Sequence, residues 1–362
     1  MKPRSRCVRL LAAICVALLA ATCFAQTPVA EQQDAPTGSS LAPRPGASVP
    51  KPVVNEAPGR IRLDVVVTDG PGKPVAGLTR QDFRLLDNDR PQAIASFKPP
   101  AAAGEDQEIT IILVIDLVNA AADDVNSART QLGKYLRLND GKLANPVLIV
   151  AFAPDGLQIQ SQPSTDGNSL ASFVDQLKPS PAPAGQNVAV SDQFSQSLQA
   201  LTATADVALK VPGRKLLFWT GKGWPVPKAD DPNMSMGEND ANIGALVSLT
   251  NKLREGRIVI YGGDTAFRRD VNEGMTNLQK LDPATLSLGA LAQRTGGHGL
   301  VRNDLGGEIN RAVATSAVHY TLSFTPPATD RPDDYHAIKL LPGQPKLTVH
   351  TFAGSYSESP AQ

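Results

Sequence analysis

Apolar positions along the chain follow two different periods, and the change of period marks the predicted elements. Residues 61–67 carry an apolar side chain at every second position, which predicts a strand with one buried face. Continuous apolar runs at 109–115 and 147–152 predict strands buried on both faces, as in a parallel sheet. Between these runs, apolar residues from Val125 to Leu136 recur at helical spacing. Such alternation of strands and helices predicts a mainly parallel sheet with helices on both faces.

The same alternation continues to about residue 318, and strands return after it. We predict strands at 216–219 and 258–261 and helical faces within 170–177, 194–205, 243–253 and 305–313. Apolar alternation in 320–324, 338–340 and 347–349 predicts closing strands. Near the other end, Phe83–Leu86 and Ala93–Phe97 flank a polar turn and predict a hairpin. The N-terminal β segment is too short to form its own core, so we expect it to pack on the part of the chain that follows.

The N-terminal 25 residues have the pattern of an export signal. A basic start precedes the apolar stretch Leu10–Ala21, which is too short to span a bilayer, and a small-residue cleavage site ends at Ala25. Lipid attachment at Cys23 is the less favoured alternative. Residues 26–59 are rich in proline and poor in large apolar side chains, which predicts an extended linker. The mature protein is therefore expected in the periplasm or outside the cell, without membrane insertion.

Charge and cysteine usage exclude several classes of function. The 362 residues include 35 basic and 35 acidic side chains, so the zero net charge gives no electrostatic footprint for nucleic acid. All three cysteines lie in the predicted signal, at positions 7, 15 and 23. After cleavage no thiol remains, which excludes disulfides, a thiolate nucleophile and cysteine-ligated zinc.

Several stretches, in this order and spacing, resemble the exported von Willebrand factor type A (VWA) domain proteins best known from Acidobacteria. They are LDVVVTDGPGKPVAGLTRQDFRLLDNDRPQAI, ILVIDLVNA, PGRKLLFWTGKG, IVIYGGD, LGALAQRTGGHGLVRNDLGGEINRAV, HYTLSFTPP and DDYHAIKLLP. The resemblance implies an α/β fold of VWA (Rossmann-like) type at 107–318, flanked by a β module at 60–100 and C-terminal strands at 319–356. It also implies a protein-binding role.

VWA domains generally carry a metal-ion-dependent adhesion site, and here the resemblance implies a degraded one. The family's first-strand pattern is Asp-x-Ser-x-Ser, with oxygen ligands suited to Mg²⁺. Asp116 matches its aspartate, but Val118 and Ala120 occupy the serine positions. Asn119 and Asp166 are the remaining candidate ligands, and Asp166 has an alternative role as the N-cap of the helix that follows it. Mg²⁺ is therefore the one cofactor considered, and Asp116 alternatively caps a helix.

A long proline-rich loop, residues 221–240, follows the predicted strand at 216–219 and is the candidate partner-binding surface. Loops at this end of a sheet often carry function on a rigid scaffold. We select Trp224, Asp230 and Asp231 as candidate contacts, because buried aromatic anchors dominate many interfaces. The alternative for Trp224 is an indole packed down on the sheet.

Sequence motifs of catalysis are missing. The chain has no phosphate-binding loop, no G-x-S-x-G elbow and no metal-spaced pair among its four histidines. The pattern therefore favours an exported, non-enzymatic protein-binding protein, adhesive or scaffolding. A structural component of a periplasmic or surface assembly is the alternative, and a hydrolase with unrecognised residues is less favoured. The partner and the oligomeric state stay open.

Overall fold

A computed structural model describes the chain over the following residues. They are 59–100, 108–179, 189–228, 236–263, 272, 275, 283–301, 303–329 and 334–357. All of them lie in the second of two units into which the chain divides, residues 53–362. The predicted export signal, nearly all of the predicted linker, Asp230 and Asp231 lie outside the described residues. Within the described part, no helix has the length and apolarity needed to cross a bilayer.

The described residues form fourteen strands and six α-helices. The strands are β1 (Ile61–Thr68), β2 (Phe83–Asp87), β3 (Arg90–Gln92), β4 (Ser96–Lys98), β5 (Ile109–Asp116), β6 (Lys142–Ala153), β7 (Gly156–Ile159), β8 (Ser164–Asp166), β9 (Arg214–Trp219), β10 (Ile258–Gly262), β11 (His319–Phe324), β12 (Tyr335–Pro342), β13 (Thr348–His350) and β14 (Gly354–Tyr356). The helices are α1 (Ala122–Leu136), α2 (Gly167–Gln176), α3 (Val190–Ala208), α4 (Met236–Glu255), α5 (Leu288–Arg294) and α6 (Leu305–Ser316).

The central sheet is mixed, with a parallel core. Its order is β10-β9-β5-β6-β7, and β8 also pairs with β6. Strands β10, β9, β5 and β6 run parallel, whereas β7 and β8 run antiparallel to β6. Every residue of β5 is buried, as predicted for a strand covered on both faces. The antiparallel strands β7 and β8 were not predicted from the sequence.

Helices cover both faces of this sheet, because alternate side chains of β5 point into different cores. Ile111 and Leu113 pack in one cluster with α1, α2 and α6. Ile112 and Val114 pack in the other with α3, α4 and α5. The fold is thus mixed α/β with sheets of parallel and antiparallel strands, in agreement with the coarse prediction.

Two further sheets combine strands from both ends of the chain. Their orders are β13-β1-β11-β4 and β14-β12-β2-β3, and all their pairings are antiparallel. The predicted module at 60–100 and the predicted strands at 319–356 thus contribute strands to the same two sheets. β1 pairs with β11 from Ile61–Phe324 to Val66–His319, so neither terminal segment completes a sheet alone.

The predicted hairpin after β2 also differs in its return strand. Asn88 and Asp89 have positive φ angles of 48° and 62°, a tight turn that brings the chain straight back as β3. Strand β4, predicted as the partner of β2, crosses to the other sheet and pairs with β11. There Phe97 lies 5.9 Å from Phe83 and 5.8 Å from Tyr320, between ring centroids, so aromatic packing joins the two sheets.

A buried ion network joins β1 to the central sheet. The Arg257 guanidinium, on the turn before β10, donates to Asp64 at 2.6 Å, and Arg62 lies 3.6 Å from the same carboxylate. Arg257 adopts a positive φ of 53°, which a non-glycine residue rarely does. The ion pair with Asp64 therefore stabilises an uncommon backbone conformation of Arg257 at the junction between β1 and the central sheet.

Candidate functional site

The strand order of the central sheet places a topological switch point between β5 and β9. From β5 the chain passes to β6 on one side and later to β9 on the other. In open α/β sheets, ligands commonly bind in the crevice beyond the carboxyl ends of the strands at such a point. Asp116 ends β5 there, and Trp219 ends β9. The crevice between them is therefore the candidate site.

The Asp116 carboxylate is buried, with 1% of the residue exposed, and is fully hydrogen-bonded by the chain itself. Its Oδ1 accepts from the backbone N–H groups of Val118 at 3.0 Å and Asn119 at 2.8 Å. Its Oδ2 accepts from Asn119 Nδ2 at 3.0 Å and from Trp219 Nε1 at 2.9 Å. A carboxylate offers about four acceptor positions, so these four donors fill it.

Further hydrogen bonds tie this carboxylate to α3 and β9. Asn119 Nδ2 also donates to Ser197 Oγ at 3.0 Å, and that hydroxyl donates to the carbonyl of Gln193 at 2.7 Å. The backbone N–H of Asp116 donates to Thr220 Oγ1 at 3.2 Å. The network thus holds the end of β5, the start of the α1 region, α3 and the end of β9 in one arrangement.

Two tryptophans fill the space beside this network. The rings of Trp219 and Trp224 meet edge to face, with centroids 5.2 Å apart, and Phe152 packs on Trp219 from another side. Trp224 is only 5% exposed, and its Nε1 donates to the carbonyl of Leu286 at 3.2 Å. This burial does not favour Trp224 as a partner contact, and that role stays a prediction. The indole packs down on the sheet, the alternative that the sequence left open.

Trp224→Phe is expected to lower the free energy of unfolding by about 1 kcal/mol. Phenylalanine keeps most of the ring packing, but the Leu286 carbonyl loses its donor. Urea denaturation of the variant and the wild type measures the difference. An unchanged midpoint would contradict the assignment of the indole N–H to a buried structural bond.

Burial sets the protonation behaviour of Asp116. Desolvation raises the pKa of its carboxyl, and the hydrogen bonds from Asn119, Trp219 and Val118 oppose the rise. Every compensating contact is a hydrogen bond from a neutral donor. Neutral dipoles of the protein therefore stabilise the Asp116 carboxylate.

The ion that the VWA resemblance implies does not fit these residues. Val118 and Ala120 contribute no side-chain oxygen, and Asp116 has no acceptor position left for a cation. The indole N–H of Trp219 points at Oδ2, where a metal would need a lone pair. In the described ranges, no group of three histidine, cysteine, aspartate or glutamate side chains has the placement of a metal site.

Asp166 does not join Asp116, although both were candidate ligands. Asp166 pairs with Lys142 at the start of β6, whereas Asp116 pairs with Phe152 near its end. These positions lie towards opposite ends of β6, so the two residues are not neighbours. Asp166 instead caps α2, accepting from the backbone N–H of Ser169 at 3.0 Å. The structure thus shows the alternative role of Asp166 as an N-cap, and its role as a metal ligand stays a prediction.

Sequence reasoning found Asp116 and Asn119 but missed Trp219, Thr220 and Ser197. Trp219 is the last residue of an apolar strand, and the sequence pattern there does not distinguish a tryptophan with a polar role from an ordinary core residue. Ser197 lies on the buried face of α3, seventy-eight positions from the amide that it accepts from. One usable signal was present: a tryptophan N–H buried beyond an apolar strand needs an acceptor, and Asp116 was the buried acid predicted at that edge.

Comparisons with known proteins give loose structural likenesses alone. No protein-family model matches the chain, and no curated protein sequence matches it. The PilB minor pilin from Streptococcus sanguinis aligns with a TM-score of 0.34 at 10% identity, over 59% of this chain and 62% of the pilin. This chain thus spans about three-fifths of the length of that pilin.

Two other solved structures show similar likeness. Manganese-loaded TRAP protein from Plasmodium vivax aligns with a TM-score of 0.27 at 9% identity, over 77% of this chain and all of that one. The pilus adhesin SpaC from Lactobacillus rhamnosus GG gives 0.30 at 8% identity, over 79% and 49%. At such TM-scores these likenesses carry no argument about function.

Proposed function

We propose that the protein is an exported protein-binding protein built on a VWA-like domain whose ion site has become a structural hydrogen-bond network. The observation that carries this proposal is the saturation of the Asp116 carboxylate by four donors of the chain. Export rests on the N-terminal pattern, and the VWA-like assignment on the order of strands and on the sequence resemblance. Recognition of the partner then proceeds without a divalent ion.

The filled crevice supports binding by the loops above it. Gly221, with φ of 87°, brings the loop after β9 against Ala120, where an added Cβ would lie 3.2 Å from the alanine Cβ. Lys222 follows and is exposed. Asp116 and Trp219 hold the loop after β5 and the loop after β9 in place from the side of the sheet. The outer surface of these two loops is therefore pre-organised, which lowers the entropic cost of binding.

The alternative role in an assembly, through strand pairing, has less support. All four edge strands of the two outer sheets, β13, β4, β14 and β3, are three residues long. Short edges, here with Pro91 in β3 and Lys98 in β4, are a common protection against strand addition. A partner is therefore expected on the loops of the central sheet.

Divalent ions are expected to leave the melting temperature of the protein unchanged. A site-specific ion stabilises a fold by RT ln(1 + [L]/Kd), about 2.7 kcal/mol at a hundredfold excess over Kd. Thermal melts with Mg²⁺, Mn²⁺, Ca²⁺ or EDTA measure the effect, with equilibrium dialysis to count bound ions. A shift of several degrees with stoichiometric binding would overturn the ion-independent proposal.

Photo-crosslinking in the producing cell tests partner binding directly. A crosslinking residue at Lys222 should give one discrete adduct that persists in EDTA. The control is the same residue at Lys210, which is also exposed but precedes β9, at the opposite end of the sheet. Equal adducts at both positions, or an adduct that EDTA abolishes, would contradict recognition by these loops without an ion.

A further inference from the structure

A serine, a histidine and an aspartate meet on the outer sheet that contains β2, β12 and β14. His336 Nδ1 lies 2.7 Å from Asp87 Oδ2, and His336 Nε2 lies 3.0 Å from Ser357 Oγ. Asp87 ends β2, His336 is on β12, and Ser357 directly follows β14. No sequence motif connects them, since Asp87 and His336 are 249 positions apart.

The hydrogen-bond directions in this cluster depend on the tautomer of His336. In the Nδ1–H tautomer, His336 donates to the Asp87 carboxylate, and its Nε2 accepts from Ser357 Oγ. The Thr329 hydroxyl donates to Ser357 Oγ at 2.9 Å. The single hydroxyl hydrogen of Ser357 is then directed at His336 Nε2. This is the relay that lets a histidine take the proton of a serine nucleophile.

Burial is graded along the three groups. Asp87 is 1% exposed and His336 is 3% exposed, whereas Ser357 is partly exposed and contacts the exposed Thr329. The acid and base are thus shielded from water while the hydroxyl lies at the surface. Among the residues that the structure describes, none hydrogen-bonds the buried Asp87 Oδ1, a costly arrangement for a carboxylate that serves only to tie strands.

We propose that Ser357 is an activated nucleophile that accepts acyl groups from activated esters, with His336 as its general base and Asp87 as the positioning residue. The inference is independent of the proposed binding function. Ser357 Oγ attacks the ester carbonyl and forms a new C–O bond, while its proton passes to His336 Nε2. The C–O bond to the leaving alcohol then breaks, and His336 returns the proton to that oxygen. Water, activated by the same histidine, releases the acid and restores the serine.

The substrate class follows from what surrounds the hydroxyl. The backbone N–H of Ser357 donates to the carbonyl of Asp334 at 2.9 Å, so it does not serve as an oxyanion donor. This N–H therefore gives no electrostatic help to a tetrahedral intermediate. We therefore assign small esters with good leaving groups, turned over slowly, and not peptide bonds.

Covalent labelling of the folded full chain tests the proposal. A fluorophosphonate probe should label Ser357, identified by peptide mass spectrometry, and p-nitrophenyl acetate should give a stoichiometric acylation burst. Ser357→Ala should abolish both. His336→Gln should slow labelling by roughly 10²-fold or more, the usual range for loss of a general base. Ser172→Ala, which removes an exposed serine bonded only to a helix carbonyl, should change neither.

Asp87→Asn separates positioning from folding. It should lower the maximal labelling rate while the half-saturating probe concentration stays the same, because probe binding does not involve Asp87. Each rate is corrected for the folded fraction measured by circular dichroism. Labelling of Ser357 no faster in the folded wild type than in the heat-unfolded chain would overturn the proposal, as would equal labelling of His336→Gln and wild type. The three groups would then be a structural tie between strands.

Discussion

Asp116→Ala is expected to destabilise the protein by about 3–5 kcal/mol. The substitution removes the acceptor for four donors at once, and buried donors without partners each cost about 1–3 kcal/mol before the chain relaxes. It also leaves a small cavity beside Trp219. Urea denaturation, with the slope checked for two-state behaviour, measures the loss.

A second aspartate of the same chain provides the matched control. Asp166→Ala removes one exposed N-cap acceptor, so about 1 kcal/mol is expected. Asp116→Asn covers the case in which the alanine variant fails to fold: it keeps the shape but turns one acceptor into a donor facing donors, for about 1–3 kcal/mol. Similar losses for both alanine variants would contradict the structural role of the buried network.

The Asp116 experiment also distinguishes a network from an ion site. If the carboxylate held Mg²⁺, wild-type stability would fall on chelation, and Asp116→Ala would be insensitive to the ion. With the acceptor positions filled, EDTA is expected to leave both proteins unchanged. The substitution should then lower stability without creating or removing any ion dependence.

The central sheet was predictable from the sequence because its signals are local. Eight consecutive buried residues in β5, and helical spacing from Val125 to Leu136, specify element type without knowledge of any partner. Pairing between distant segments has no such signal. The partner of Ile61 is Phe324, and nothing near either residue indicates the other. The sequence therefore predicted β segments at the two ends of the domain but not their pairing into common sheets.

The site was predictable only as far as its position. Asp116 at the end of a buried strand located the crevice, because strand ends at a switch point lie together. What fills the crevice depends on Trp219 and Ser197, whose patterns are those of ordinary core residues. The cluster at His336 was missed for the same reason: alternation marks His336 as a strand residue, and its partner Asp87, the last residue of β2, lies 249 positions earlier in the sequence.

Acid unfolding of the protein is expected to depend strongly on Asp64. Burial raises the pKa of this carboxyl, but Arg257, Arg214 and Arg62 outweigh that effect and lower it to about 2, from 3.8. Because the folded pKa is depressed, the carboxylate contributes its full stability above pH 4 and loses it as the pH falls towards 2. One pKa unit corresponds to about 1.4 kcal/mol. The Asp64 carboxylate therefore accounts for about 2 kcal/mol of the stability that the protein loses on acidification.

Asp64→Asn should accordingly have two effects of different origin. At neutral pH it leaves the buried guanidinium of Arg214 and that of Arg257 without their carboxylate, which costs about 3–5 kcal/mol. Between pH 4 and 2 the free energy of unfolding of the variant should fall less steeply than that of wild type, by about 2 kcal/mol. Asp89→Asn is the control, since Asp89 pairs with Lys339 at the surface and asparagine also tolerates its positive φ. If the free energy of unfolding fell equally steeply with pH in Asp64→Asn and in wild type, the Asp64 carboxylate would titrate normally. The three arginines would then not hold it ionised, and the junction between the outer and central sheets would rest on packing alone.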